Sequence, residues 1–204
     1  MIGMLGKKIG MSQIYSERGD VVPTTILEIG PCYVVQKKTK EKDGYDALQL
    51  GFGKVKNLNK PMTGHFKKNK IQACHELKEI RVSNITEYNV GQEIKVNVFN
   101  PGDKVAVIGY TKGRGFAGGV KRWGWHSGPA SHGSMSHRRI GSVGSTTSPG
   151  RPWRGRTLPG QYGNERVTVK NLKVLKVDDE NNLLFVKGAV PGPKNGMIMV
   201  EKSK

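Results

Sequence analysis

Between Asp103 and Glu165 the sequence contains no aspartate and no glutamate. Ordinary solvated faces mix both signs of charge, so a gap of this length argues against an idle surface and rules out paired-carboxylate chemistry inside it. Cysteine is nearly as scarce. Cys32 and Cys74 stand alone, with no CxxC, which excludes a disulfide framework or a zinc knuckle and predicts two reduced thiols in a core. No run of about eighteen apolar residues is present to cross a membrane as a helix. The opening MIGMLGKKIGMSQIY lacks the apolar stretch and small-residue cleavage site of a secretory signal, so a cytoplasmic location is expected. There is no GxxxxGK[ST], which leaves P-loop nucleotide hydrolysis without support.

What the chain does carry is positive charge. Thirty-four Lys and Arg against 16 Asp and Glu give a net charge of +18 over 204 residues. Such a charge repels itself in a compact state unless a polyanion neutralises it, so nucleic acid is the first partner to consider. The cations in the acid-free gap are Lys104, Lys112, Arg114, Lys121, Arg122, Arg138, Arg139, Arg151, Arg154 and Arg156. Residues 111–164 also hold 13 of the 28 glycines, all three tryptophans and three of the five histidines. Only Phe116, Val120, Ile140, Val143 and Leu158 there are Phe, Val, Ile or Leu. That is well below the roughly 20% under which a segment cannot bury enough apolar surface to fold alone, so this arm is expected to order on a partner. Flexible linkers are poor in aromatics. Trp123, Trp125 and Trp153, set among Arg and His, are instead the types that stack on unpaired bases while guanidinium groups bridge phosphates. Extended out and back like a hairpin, the excursion would reach about 90 Å, against a radius of gyration of about 15 Å for the remaining chain.

The flanks read as strands. VVPTTILEIG (21–30), CYVVQKKTK (32–40) and YDALQLGFG (45–53) are β-branched or alternating runs closed by Gly and Pro signals. Asn59 is expected to cap a short helix with Pro61 in its first turn. EIKVNVF and KVAVIGY follow as strands around a turn at 100–103, and three more strands come after the arm, with a bulge near Asn171. Strands on both sides of the arm predict that the N- and C-terminal segments close into one antiparallel barrel.

Some motifs mislead. Gly113, Gly115 and Gly118 match GxGxxG after a strand, but Gly119, Gly124 and Pro129 oppose the helix, and the ribose-binding acid about 20 residues on does not exist. His126, His132 and His137 have no nearby carboxylate to orient an imidazole, so stacking or phosphate contact is expected rather than metal binding or catalysis. His65 and His75 are expected as surface residues or a satisfied helix end. Lys7 and Lys8, in GKKIGM, are expected to contact phosphate. An RNA-modifying enzyme with a basic substrate loop and a free single-strand RNA-binding module are the rival readings of the same composition.

MIGMLGKKIGMSQIY, GYDALQLGFG, NKPMTGHFKK, TKGRGFAGGVKRWGW, GPASHGSMSHRRIGSVG, SPGR, LPGQYGNERVTVKNLKV and KGAVPGPKNG occur in this order and together resemble the bacterial large-subunit ribosomal protein L3 family, from Met1 to about Met199. The resemblance implies a mainly β fold: a six-stranded antiparallel translation-protein-type barrel with a small α-containing insertion and a long irregular basic extension loop. On this sequence the barrel takes 1–56, 93–110 and 165–204, an inserted α+β subdomain 57–92, and the RNA-penetrating loop 111–164. The implied function is a structural constituent of the large subunit, not an enzyme. It binds 23S rRNA, supports assembly and positions rRNA near the peptidyl transferase centre. Implied neighbours are proteins L14 and L19, with no membrane, small-molecule substrate, cofactor or metal. The loop tip falls on Gly141 to Pro149, which adds Ser142, Val143, Gly144 and Ser145 to the RNA contacts. Some relatives carry an N5-methylated glutamine where this chain has Ser145, so that modification is expected to be absent.

Overall fold

The computed structural model describes residues 3–82 and 84–203. In chain order it contains β1 (Gly3–Tyr15), β2 (Val21–Ile29), β3 (Cys32–Lys38), α1 (Lys40–Asp43), β4 (Ala47–Lys54), α2 (Lys60–Lys68), β5 (Cys74–Arg81), β6 (Glu93–Ile94), β7 (Lys104–Tyr110), β8 (Gly115–Ala117), α3 (Gly119–Trp123), β9 (Gly160–Tyr162), β10 (Arg166–Asp178), β11 (Leu183–Lys187) and β12 (Met197–Lys202). Two compact units result. Met1–Thr111 with Arg166–Lys204 form the body, and Lys112–Glu165 form the arm.

The body is mainly β. Six antiparallel strands pair in the order β1-β12-β7-β10-β11-β2, with β2 returning to β1, as a closed barrel. Closure leaves these strands no free edge. Period-two alternation turns Leu27, Ile29, Val105, Val107, Val174, Leu184, Val186, Ile198 and Val200 inward, and all are buried. The expected irregularity in β10 is present: the ladder to β7 shifts between Val169 and Leu172, and Asn171 takes a positive φ of 59°.

Two strands expected in the barrel stand elsewhere. β3 and β4 form a second sheet, order β5-β4-β3-β6, so this sheet draws on residues within 1–56 and 93–110 as well as on the insertion at 57–92. Alternation marks a strand but not its partner. Here Gly30, at a φ of +75°, and the fixed φ of Pro31 end the run of β2. One face of the second sheet shares the barrel's core through Val34, Leu48, Leu50, Phe52, Ile80 and Ile94. The other face, through Val35 and Cys74, packs on Phe66 of α2. Asn59 stands at the N-cap of α2 with Pro61 in the first turn, but its side chain makes no capping bond; its carbonyl accepts from the Thr63 amide at 3.0 Å.

EIKVNVF is not one strand. Only Glu93–Ile94 pair, with Cys32 and Tyr33, and Val96–Val98 form a 3-10 turn. The turn brings Val96 and Phe99, three residues apart, into the core together.

Candidate nucleic-acid interface

The arm holds itself together differently from the body. Among its described residues only Ala117, Gly119 and Gly163 are buried, so there is almost no apolar core. Composition predicted a segment ordered only by a partner. The structure gives it an internal framework of hydrogen bonds instead, because the donors that sequence reading assigned to RNA also satisfy carbonyls of the arm. β8 pairs with β9, and the Arg114 amide donates to the Tyr162 carbonyl at 2.8 Å. The Arg122 guanidinium and the Trp123 indole N–H both donate to the Leu158 carbonyl at 2.8 Å. The Trp125 indole N–H donates to the Thr157 hydroxyl at 3.2 Å, and its ring lies against Gly119 so closely that a Cβ there would overlap it.

Gly119 and Gly124, expected to oppose a good helix here, leave only the short α3. It has five residues and ends where Gly124 takes the left-handed conformation. A three-residue strand before so short a helix is not a dinucleotide-binding unit.

Further out, the Gly128 amide donates to the His137 carbonyl at 2.9 Å. His137 Nδ1 lies 2.9 Å from the Pro129 carbonyl, which can only accept, so this nitrogen carries the proton. Arg156 donates to the Ser142 carbonyl at 2.6 Å, and the Ser142 hydroxyl to the Gly144 carbonyl at 3.2 Å, bracing the segment that includes Val143 and Ser145.

The predicted contacts therefore fall into two groups. Arg122, Trp125 and Arg156 are engaged in the arm's own framework, as are the edges of Trp123 and His137. Lys112, Lys121, His126, His132, Arg138, Arg139, Arg151 and Arg154 present exposed side chains. Arg114 is exposed and stacks over the Tyr162 ring at 5.1 Å, and Arg122 over Trp123 at 4.9 Å. Guanidinium planes on aromatic faces remain able to reach phosphate with their free edges. Trp153 is 70% exposed. Sequence reading missed Phe116, 81% exposed, whose signal was its alternation with buried Ala117 in β8. It also missed Ile140, exposed beside Arg139. Both are large apolar side chains left exposed in the acid-free arm. Among the described residues no three His, Cys, Asp or Glu side chains gather as a metal site.

Lys7 and Lys8, expected to contact phosphate, also have partners within the body. Lys8 donates to the Val190 carbonyl at 2.8 Å and the Gly192 carbonyl at 3.4 Å, fastening β1 to the loop before β12. Lys7 pairs with Glu28 at 3.2 Å across the β1–β2 ladder. Neighbouring backbone holds the Lys8 ammonium, while the Lys7 side chain stays partly exposed beside Glu28; neither partner could be located from the linear sequence. His65 bonds Gln49 at 2.8 Å from α2, and His75 lies at the surface beside Glu76. Register sets Lys104 opposite Lys173 across β7 and β10, both exposed. Like charges directly opposed are destabilising unless an anion lies between them.

The family model described as Ribosomal protein L3 matches residues 78–182. The large ribosomal subunit protein uL3 of Pelotomaculum thermopropionicum is 58% identical over 203 residues, spanning 98% of this chain and 96% of its own length. That of Thermotoga maritima is 55% identical over 201 residues, spanning 98% and 97%. That of Carboxydothermus hydrogenoformans is 53% identical over 203 residues, spanning 98% and 97%.

Proposed function

Since the chain belongs to the ribosomal protein L3 family, we propose that it is a structural constituent of the large ribosomal subunit that binds 23S rRNA directly and performs no catalysis. Its place is then in the ribosome, in the cytoplasm. The observation that carries the RNA-binding reading is the arm: a 112–165 unit whose surface displays guanidinium groups and aromatic faces, with no acid between Asp103 and Glu165. Lys and Arg neutralise phosphates and release counterions, while Trp153, Phe116 and Trp123 offer faces to unpaired bases. The body anchors the arm's ends side by side, because Tyr110 and Arg166 pair across β7 and β10. On this reading the barrel is of the translation-protein type, and the arm with its tip at Ser142, Val143, Gly144 and Ser145 positions rRNA near the peptidyl transferase centre. Proteins L14 and L19 are its proposed neighbours, and assembly of the subunit depends on it.

The test replaces Arg138, Arg139, Arg151 and Arg154 together by Ala. The expected outcome is an unchanged thermal transition for the body, an rRNA-binding salt slope reduced by about 0.7 to 0.9 for each lost phosphate contact, and accumulation of large-subunit precursors in sucrose gradients. A normal gradient profile with unchanged salt slope would refute the reading. An enzyme or a free chaperone would wash off the subunit at high salt, whereas an integral constituent stays with it.

A further inference from the structure

Two clefts in the arm meet at Trp125, Arg139 and Ile140. The first, about 620 Å³, is lined by Gly118, Gly119, Trp125, Ile140 and Pro159, with Arg138 and Arg139 at its wall. The second, about 430 Å³, is lined by His126, Arg139, Arg156 and Thr157 together with Trp125 and Ile140. Each volume falls within the roughly 300–1,000 Å³ of small-ligand clefts. They share Trp125, Arg139 and Ile140 and differ in the residues on either side. One offers an aromatic ring, a branched aliphatic chain, a proline and three glycines, with Ser136 and two guanidinium groups at its edge. The other offers two guanidinium groups, an imidazole and a hydroxyl.

We propose that this pair of clefts seats one unpaired nucleotide of an RNA strand, with its base in the Trp125–Ile140–Pro159 cleft and its phosphate in the Arg139–Arg156–His126 cleft. The inference rests on the RNA-binding reading above and adds to it a single discrete site. Three observations carry it. The dividing wall is fixed in advance: Trp125 is bonded to Thr157 at 3.2 Å and backed by Gly119, so its ring orientation does not await the ligand. Arg156 is held by the Ser142 carbonyl at 2.6 Å, which aims a guanidinium at the phosphate side while leaving donors free. The lining contains no carboxylate, and none occurs between Asp103 and Glu165, so an anion entering the second cleft meets only positive or neutral groups. Base stacking in such sites is tolerant of sequence, whereas a base confined between Trp125, Ile140 and Pro159 must first leave its own stack. The site therefore selects for an extruded or loop nucleotide rather than for a duplex.

The experiment uses the full chain with a 23S rRNA transcript and reads 2′-hydroxyl acylation at each nucleotide, alongside filter-binding affinity. Wild-type protein is expected to change the reactivity of one or two unpaired nucleotides sharply within a broader footprint. Ile140→Trp, which fills the base cleft, is expected to abolish that local change and weaken binding roughly tenfold, and Arg139→Ala to do the same. Arg151→Ala, whose side chain lines neither cleft, is expected to weaken binding while the local change persists at saturating protein. Ile140→Leu keeps the cleft open and is expected to retain the local change, and resistance of residues 112–165 to limited proteolysis checks that each variant keeps its arm. A local change that survives in Ile140→Trp overturns the cleft site while leaving RNA binding intact. A wild-type chain with no footprint on the transcript overturns the RNA-binding reading and the site with it.

Discussion

At the scale of the residue, surroundings decide what a side chain can do. Cys32 is buried among the barrel and second-sheet core, with its thiol 3.3 Å from the Leu5 carbonyl, and burial pushes its pKa up to about 12. Cys74 is buried beneath α2 and shifted in the same direction for the same reason. A thiol reacts as its thiolate, so neither sulfur is available in the folded protein. Iodoacetamide at pH 8.5 is expected to label the native chain at least about 100-fold more slowly than the guanidinium-unfolded chain; rapid native labelling would show that the core opens readily. The sequence indicated reduced, buried cysteines from their isolation alone. It could not indicate that Lys8 spends its charge on the Val190 and Gly192 carbonyls, because those acceptors lie more than 180 positions away.

Elements were legible where their pattern is local. The alternation of β2, β4, β7 and β10, and the Asn59–Pro61 start of α2, are written in adjacent residues. The bulge in β10 was legible for the same reason, since the apolar positions change phase there. Asn171 sits at its centre with a φ of 59°, and its side chain accepts from the Ser203 hydroxyl at 3.2 Å. A β-branched residue is strained in that conformation. Asn171→Val is expected to lower stability by about 1–3 kcal/mol in denaturant titrations, and Asn171→Gly, which accepts the dihedral, by under about 1 kcal/mol. Equal losses for the two would place the cost elsewhere than in the backbone. The EIKVNVF segment misled because its alternation suits a strand equally well, and the decision between strand and 3-10 turn lay in how Val96 and Phe99 reach the core.

For the whole molecule, charge sets how the body responds to acid. Glu79 accepts from Lys38 at 2.8 Å and from the Tyr45 hydroxyl at 2.6 Å, and these bonds hold its carboxyl below the ordinary value of 4.5. Asp103, beside Lys202 at 2.8 Å and bonded by the Asn100 amide, is lowered likewise. A carboxylate whose folded pKa is depressed stabilises the fold above its unfolded value, and that contribution disappears as pH falls through the folded one. Stability is therefore expected to decline below about pH 4.5, in a chain whose net charge of +18 grows further as the acids protonate. Glu79→Gln removes one of the responsible groups and is expected to flatten the stability curve between pH 5 and 3, measured by urea unfolding at each pH. An unchanged slope would mean that the Lys38–Tyr45–Glu79 cluster does not report on unfolding.

The amino-acid sequence by itself determined the mainly β character, the acid-free basic arm between two strand-rich flanks, and the expectation of a polyanionic partner. Each of these rests on local periodicity or on the sum of charges, neither of which needs a fold to be evaluated. Only the tertiary structure decided that β3 and β4 leave the barrel for a second sheet, that Trp125 closes on Gly119, and that Ile140 lies exposed between two clefts. Strand partners, ring contacts and carbonyl acceptors join residues far apart in the chain, and distance in space is not encoded in spacing along it.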